Sequence, residues 1–307
     1  MADSNYDLIV IGAGITGLTA SRHALQNGLK TANIEALLFG GLVININELD
    51  GDLTGSGTDL ASNLMMEIAE LGADNLPETV TAIGREGDLL AVDTDAGTHR
   101  ARAVVVASGA RLKRLHIPGE TQFEYKGVSQ CADCDGPLYK GEDVVVVGGG
   151  DSALQEALVL AEFCKRVHLV HRGGKFSARP HLVKAVAAHE NIVPAWHSVA
   201  EAILGGKAVE RVRVRNLATH TLREIPCAGL FAYIGLQPAC EFVPTDVARD
   251  PKGFLVTDAT LQTHVPGLFA AGAVRAGYGG LLTHAIAEGR SAAQAAMSRQ
   301  HFPKGIP

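Results

Sequence analysis

Short apolar runs alternate along this chain with stretches in which apolar positions recur every third or fourth residue, so strands and helices take turns. The first run, 6–11, leads into Gly12-Ala13-Gly14-Ile15-Thr16-Gly17 and a helical pattern through Leu18, Ala20, Ala24 and Leu25 that stops at Gly28. A second run, 31–34, ends at Glu35, 23 residues after Gly12. The pattern predicts a strand, a tight turn, a helix and a strand. It then recurs as an apolar run at 144–147, Gly148-Gly149-Gly150-Asp151-Ser152-Ala153, a helix through Leu154, Ala157, Leu158 and Ala161, and a strand at 167–170. His171 stands 23 residues after Gly148, where the first unit has Glu35. Between the two units lie Gly40-Gly41, a helix expected over about 59–71, and a β-rich stretch ending at 104–110. Beyond the second, apolar strands run into small-residue turns at 231–235 and 267–272.

Each glycine in the first turn has a physical use. The first permits the turn, the second lets backbone approach a pyrophosphate, and the third lets helix and strand pack closely, while the helix N-terminus offers unpaired N–H groups. A carboxylate at Glu35 suits a ribose diol. Gly12 to Gly17 with Glu35 therefore reads as a dinucleotide site, and Gly148 to Ala153 as a second. A carboxylate would repel the 2'-phosphate of NADP; His171, Arg172 and Lys175 attract it, unless they are simply solvated loop charges. The order of the pieces predicts an α/β protein whose first domain, 1–113 with 242–307, is interrupted by a second, 114–241, with turn signals at Pro118-Gly119 and Pro238.

Composition narrows the class. A chain of 307 residues is long enough for two domains, and 47% hydrophobic with 20% charged residues excludes disorder. Its 35 glycines exceed the roughly 21 that average usage gives, which fits backbone lying close to ligands. A net charge of -6 leaves no basic surface for nucleic acid or an anionic membrane. No apolar run reaches about 18 residues and the first residues are acidic rather than basic, so a soluble cytoplasmic protein is expected.

Five cysteines are too few for a disulfide scaffold. Two of them form Cys131-Ala132-Asp133-Cys134-Asp135, just before the second glycine turn. Two intervening residues allow a disulfide to close, and the adjacent carboxylate can shuttle a proton. A zinc site would need further ligands at metal spacing, and a buried structural pair is the other reading. Core packing is the expectation for Cys164, Cys227 and Cys240.

The ordered set, from GAGITG through Gly40-Gly41, Ala107-Ser108-Gly109, Cys-Ala-Asp-Cys-Asp, Gly-Gly-Gly-Asp-Ser-Ala, His171-Arg172 and Tyr233-Ile234-Gly235 to 267–272, resembles the low-molecular-weight thioredoxin reductase family over nearly the whole chain. The resemblance implies two Rossmann-like, three-layer β/β/α domains, the second inserted in the first, and a homodimer. It implies FAD bound by Gly12, Gly14, Ile15, Thr16, Gly17, Glu35, Ala36, Gly40, Gly41, Leu42, Asn47, Ala107, Ser108, Gly109, Gly272, Ala273, Thr283 and His284. It implies NADPH or NADH at Gly148, Gly149, Gly150, Asp151, Ser152, Ala153, His171, Arg172, Ile234 and Gly235. By the same resemblance Cys134 faces the flavin, Cys131 exchanges with substrate and Asp135 handles the proton; the substrate is thioredoxin, another small disulfide protein or a dithiol.

Three departures bear on that reading. Ala273 stands where the family has an aspartate on the flavin's ribityl chain, Thr283 and His284 stand near where it has an Arg-Gln pair, and Gly173 and Ser177 replace two phosphate-binding arginines. The leading expectation is a nucleotide-driven disulfide reductase. A dithiol oxidase using oxygen, a ferredoxin-driven or otherwise NADPH-independent reductase, and a non-catalytic flavin-binding sensor are its alternatives.

Overall fold

Residues 8–11 are apolar without alternation because both faces of their strand are covered, as the computed structural model of the chain shows. The structure describes residues 5–299 except 47, 48 and 50–52. Along the chain, β1 (Asn5–Ile11), α1 (Ile15–Gln26) and β2 (Thr31–Ile34) are followed by a 3-10 turn, Gly41–Asn45, and by α2 (Gly57–Glu70). Then come β3 (Asp74–Leu76), β4 (Val80–Glu86), β5 (Leu89–Thr94), β6 (Thr98–Val106), β7 (Ala110–Leu112), β8 (Val128–Ser129) and α3 (Ala132–Asp135). The second glycine turn joins β9 (Asp143–Gly148) to α4 (Asp151–Phe163), after which β10 (Arg166–Val170), α5 (Pro180–Ala187) and β11 (Ile192–Ala195) follow. The chain ends with β12 (Ser198–Gly205), β13 (Val209–Asn216), β14 (Leu222–Pro226), β15 (Gly229–Tyr233), β16 (Leu236–Pro238), β17 (Leu268–Ala270) and α6 (Leu282–Arg299).

Two compact units result: 1–111 with 237–307, and 112–236. In the first, the sheet runs β3-β2-β1-β6-β5-β4, with β17 also on β6. Strands β3, β2, β1, β6 and β17 are parallel, and β6 turns its N-terminal half to antiparallel β5 while its last three residues pair with β17. Ile9, Ile11, Val104 and Val106 pack on one face against Ile83, Leu90 and Val92 of the β4-β5 meander. Leu8, Val10 and Val105 pack on the other against Ala20 and Ala24 of α1 and Ala292, Ala293 and Ala296 of α6. Sheet, meander and helices make the three layers. The helix expected over about 59–71 starts earlier, at Gly57, because Ser56 caps it: Ser56 Oγ accepts from Asp59 N at 3.0 Å and the Asp59 carboxylate accepts from Ser56 N at 3.2 Å.

The second unit repeats the plan. A parallel sheet, β11-β10-β9-β15-β8, lies between α4 and α5 on one face and the antiparallel β12-β13-β14 on the other. Val144 and Val146 face the helices; Val145 and Val147 face the meander. Among the described residues no helix is long and apolar enough to cross a membrane.

The alanine contact between α1 and α6 is close enough that a Cβ on Gly289 would lie 2.3 Å from Thr16 O. Gly289→Ala is expected to cost about 1–3 kcal/mol in urea unfolding, as overpacking does. Gly84→Ala, where a Cβ meets nothing within 4 Å, is expected to stay within roughly 0.5 kcal/mol.

Candidate functional site

The first glycine turn follows β1 where the sheet ends. Gly12, at φ 106, is held against the end of β6 so closely that a Cβ there would lie 2.5 Å from Ala107 O, and one on Gly17 would lie 1.9 Å from Gly12 O. Gly14 is the N-cap of α1 and offers no side-chain acceptor, and the first turn of α1 has no acidic residue, so its N–H groups face the turn without a capping anion. That is an anion-binding geometry. Glu35, just past β2, accepts from Ala13 N at 3.0 Å and Leu37 N at 3.1 Å, leaving carboxylate lone pairs for a further donor. Gly40 bridges Gly14 and donates to Ala13 O, Gly41 starts the 3-10 turn, and Ala36 and Leu42 are exposed beside it. Asn47 lies outside the described residues. The turn is braced from below by buried Asn33, whose Nδ2 donates to Gly12 O and Ser21 Oγ.

Two more turns close the same end of the first unit. After β6, Ser108 donates to Ala239 O and Gly109 takes φ 70. After β17, Gly272 lies on Thr16: a Cβ on it would be 2.4 Å from Thr16 Oγ1. Glu288, on α6, accepts from Gly272 N at 2.7 Å and from Arg275 Nε at 2.8 Å and Nη2 at 2.5 Å, with both side chains largely buried. The turn that carries Ala273 is thus shaped by a two-point ion pair. Thr283 and His284 are exposed in the first turn of α6, the His284 ring lying over Gly279.

In the second unit Gly150 caps α4, again without a side-chain acceptor, but Asp151 occupies the first turn. Arg179 answers it, donating through its backbone N and its Nε at 2.7 Å each, and holds the Asp151 carboxyl below its usual range. Ser177 donates through N and Oγ to Gly149 O, at 2.8 and 3.1 Å. The His171 ring covers Gly149, where a Cβ would lie 2.1 Å from its Nδ1; its Nε2 donates to Lys175 O, and Phe176 and Trp196 flank it. Arg172 and Ser152 are exposed, Ala153 is fully buried, and Ile234 and Gly235 follow β15 at the same end of the sheet.

Cys131 and Cys134 are joined in a disulfide, their Cα atoms 5.3 Å apart, within the range such a bond spans. Cys131 is the N-cap of α3 and its Sγ accepts from Cys134 N at 3.2 Å. Ser129 organises this end: its Oγ donates to Asp135 Oδ2 at 2.6 Å and accepts from Cys131 N at 3.2 Å. Asp135 and the pair are thus assembled by one hydroxyl. Burial pushes the thiol of Cys164 up to about 11 and that of Cys227 up to about 12, and raises Cys240 as well. Those three sit in the core. Among the described residues no group of three or more His, Cys, Asp or Glu side chains is placed to hold a metal ion.

A family model described as pyridine nucleotide-disulphide oxidoreductase matches residues 6–289. The chain belongs to that family. A thioredoxin reductase from Treponema pallidum is 36% identical over 300 residues, covering 96% of this chain and 97% of that one. One from Streptomyces coelicolor is 34% identical over 275 residues, covering 87% and 85%. The crystal structure of Lactococcus lactis thioredoxin reductase superposes with a TM-score of 0.88 at 34% identity, covering 95% and 98%. As a member of this oxidoreductase family the chain is an FAD-dependent enzyme acting on a disulfide, and the uncapped helix end and glycine cradle of the first unit fit the pyrophosphate of that cofactor.

Sequence reasoning missed the acids that shape this family member's turns. Glu288 lies between buried Ala285 and Ala292 on α6, and Glu156 between Ala153 and Leu160 on α4. A charge at an apolar position of a helical pattern was the available signal. Asn33 and Arg275 find their partners 12 or more residues away, and Ser129 finds its own nearby in an irregular segment, so none of the three had a periodic signal.

Two outcomes are expected. With a pKa of about 11 or more, roughly one thiol in a thousand or fewer is ionised near pH 8 at Cys164 and Cys227. Iodoacetamide on native, reduced protein is therefore expected to label Cys131 and Cys134 alone by mass spectrometry, and all five cysteines after unfolding. Glu288→Ala leaves Arg275 unpaired and is expected to cost about 3–5 kcal/mol of stability in urea unfolding. If the 272–276 turn forms part of the FAD cradle, fluorescence titration of the apoprotein is expected to show weaker FAD binding as well.

Proposed function

We propose that this enzyme is a disulfide reductase of the thioredoxin-reductase type, taking electrons from reduced nicotinamide nucleotide, NADPH or NADH, through FAD and the Cys131–Cys134 pair to thioredoxin or a similar small disulfide protein. The observation that carries the reading is the Cys131–Cys134 bond itself, at the head of a short helix in the unit that holds the second glycine turn. Relatives of matching length that bear the name thioredoxin reductase support the substrate class.

Bound FAD supplies a two-electron carrier between a hydride donor and a disulfide. The residues proposed to hold it are the Gly12–Gly17 turn and the first turn of α1 for the pyrophosphate, Glu35 for the adenosine ribose, and the 107–109 and 272–273 turns. Gly148 to Ala153 serve the nucleotide, with Arg172 as an exposed cation beside it. Cys134 takes the flavin side of the pair and Cys131 the substrate side. Cys131 becomes a nucleophile only as the thiolate, and the Cys134 N–H that points at its sulfur favours that form. Asp135, oriented by Ser129, is the proton-carrying group. The assembly expected from the resemblance is a homodimer.

Anaerobic titration of the FAD-loaded protein, followed by its visible spectrum, tests this. Stoichiometric NADPH or NADH is expected to bleach the flavin band, and added oxidised thioredoxin to restore it. A flavin that dithionite reduces but neither nucleotide touches at millimolar concentration overturns the nucleotide-driven reading. Peroxide release on adding dithiols would instead establish the opposite direction of electron flow.

A further inference from the structure

Helix α4 turns one acid toward the interior of its unit. Glu156 stands between Ala153 and Leu160, both fully buried, and its Oε2 accepts two hydrogen bonds, from Ala132 N at 2.9 Å and from Tyr233 Oη at 3.0 Å. Ala132 is itself fully buried and is the first residue of α3, directly after Cys131. Tyr233 closes β15 and is buried. One carboxylate oxygen therefore ties β15 and α4 to the start of the redox helix. Burial pushes the Glu156 carboxyl up, with the charge of Asp133 adding to it, and burial together with Glu156 pushes the Tyr233 phenol up, so that the phenol remains a donor.

Helix α3 has four residues, too few to hold its own shape, since the first turn of a helix is unfavourable without outside contacts. In the oxidised protein the Cys131–Cys134 bond staples that turn. Once the bond is reduced the staple is gone, and the first two amides of this end are then held from outside the helix by Ser129 on Cys131 N and Glu156 on Ala132 N. We propose that Glu156 is a positioning residue for thiol–disulfide exchange: through the Ala132 amide it fixes the first turn of the reduced redox helix, and with it the Cys131 sulfur, against α4. The proposal rests on the reading of Cys131 and Cys134 as the exchanging pair. In that exchange the Cys131 thiolate attacks one sulfur of a disulfide and releases the other as thiolate. Cys134, as thiolate, then attacks Cys131 in the mixed disulfide and releases the second, so two electrons leave the pair and its own disulfide re-forms. Both displacements need sulfurs in line, and a drifting first turn slows each.

The test uses the full-length, FAD-loaded protein, reduced anaerobically with dithiothreitol, freed of it and mixed with the aromatic disulfide DTNB. Glu156→Ala is expected to slow release of the coloured thiolate by roughly ten- to a hundredfold, the loss of a hydrogen bond to a charged group. Glu156→Gln, which keeps an acceptor oxygen for Ala132, is expected to restore the rate to within about threefold. Tyr233→Phe is expected to slow exchange less, and to add nothing in the Glu156→Ala background because both act through one oxygen. The flavin spectrum and thermal unfolding report whether each variant is folded. Glu156→Ala at the parent rate overturns the proposal, as does Glu156→Gln as slow as Glu156→Ala. Should Glu156→Ala fail to fold, a folded Tyr233→Phe exchanging at the parent rate overturns it. DTNB needs no nucleotide, so a protein that ignores NADPH and NADH but shows the Glu156 effect separates failure of the reductase reading from failure of this one.

Discussion

Both central sheets are covered on both faces, by helices on one side and an antiparallel meander on the other. Parallel strands buried in this way expose their backbone groups chiefly where they end, and at the carboxyl end each strand hands its last carbonyls and the next N–H groups to a turn. The candidate chemistry collects there. In the first unit Gly12, Glu35, Ala107 and Gly272 follow β1, β2, β6 and β17; in the second Gly148, His171 and Ile234 end or follow β9, β10 and β15. The glycines are consequences of this crowding. Where a Cβ on Gly12 would meet Ala107 O and one on Gly148 would meet Tyr233 O at 2.4 Å, neighbouring strand ends already fill the space a side chain would take.

Turns assembled from backbone need something to hold them, and both units use the same device. An acid on the inward face of a helix reaches the amide of a functional turn: Glu288 on Gly272 N, Glu156 on Ala132 N. Each acid also takes a side-chain donor from the neighbouring segment, Arg275 in one case and Tyr233 in the other. A half-buried carboxylate with one partner would be costly, and the second donor offsets that cost. The two sites differ in charge. The Arg275–Glu288 pair is neutral as a whole, whereas Glu156 has only a phenol and an amide, which do not offset the upward push of burial and of Asp133 nearby on its carboxyl.

The glycine turns, the strands around them and the Cys-x-x-Cys spacing were legible because each is written in contiguous residues with one period or one motif. The start of α2 at Gly57 was missed by two residues because a capping box depends on Ser56 and Asp59 together rather than on apolar periodicity. Glu156 and Glu288 were illegible as site residues for a related reason. Their partners lie 24 and 16 residues away at the backbone amides of other segments, and amide positions leave no mark in a side-chain pattern. Glu35 is expected from its position to meet a ribose diol, but its bonds within the protein, where its carboxylate joins Ala13 N to Leu37 N, leave no mark in the sequence pattern.

The second glycine turn shows how a few replaced residues redistribute charge. Ser177 spends both of its donors on Gly149 O, and Arg179 is held by Asp151, so neither brings an uncommitted cation to the turn. His171 lies across Gly149 with Nε2 given to Lys175 O, which makes it a wall of the turn. What remain beside the end of β10 are Arg172 and Lys175, both exposed and therefore screened by water and salt. Exposed cations distinguish a 2'-phosphate from a 2'-hydroxyl weakly, because discrimination of many powers of ten comes from several desolvated, bidentate contacts acting together. The backbone of this turn still suits a pyrophosphate, which NADH and NADPH share, so the geometry suited to a nucleotide and the charge that would select between the two forms have come apart in this chain.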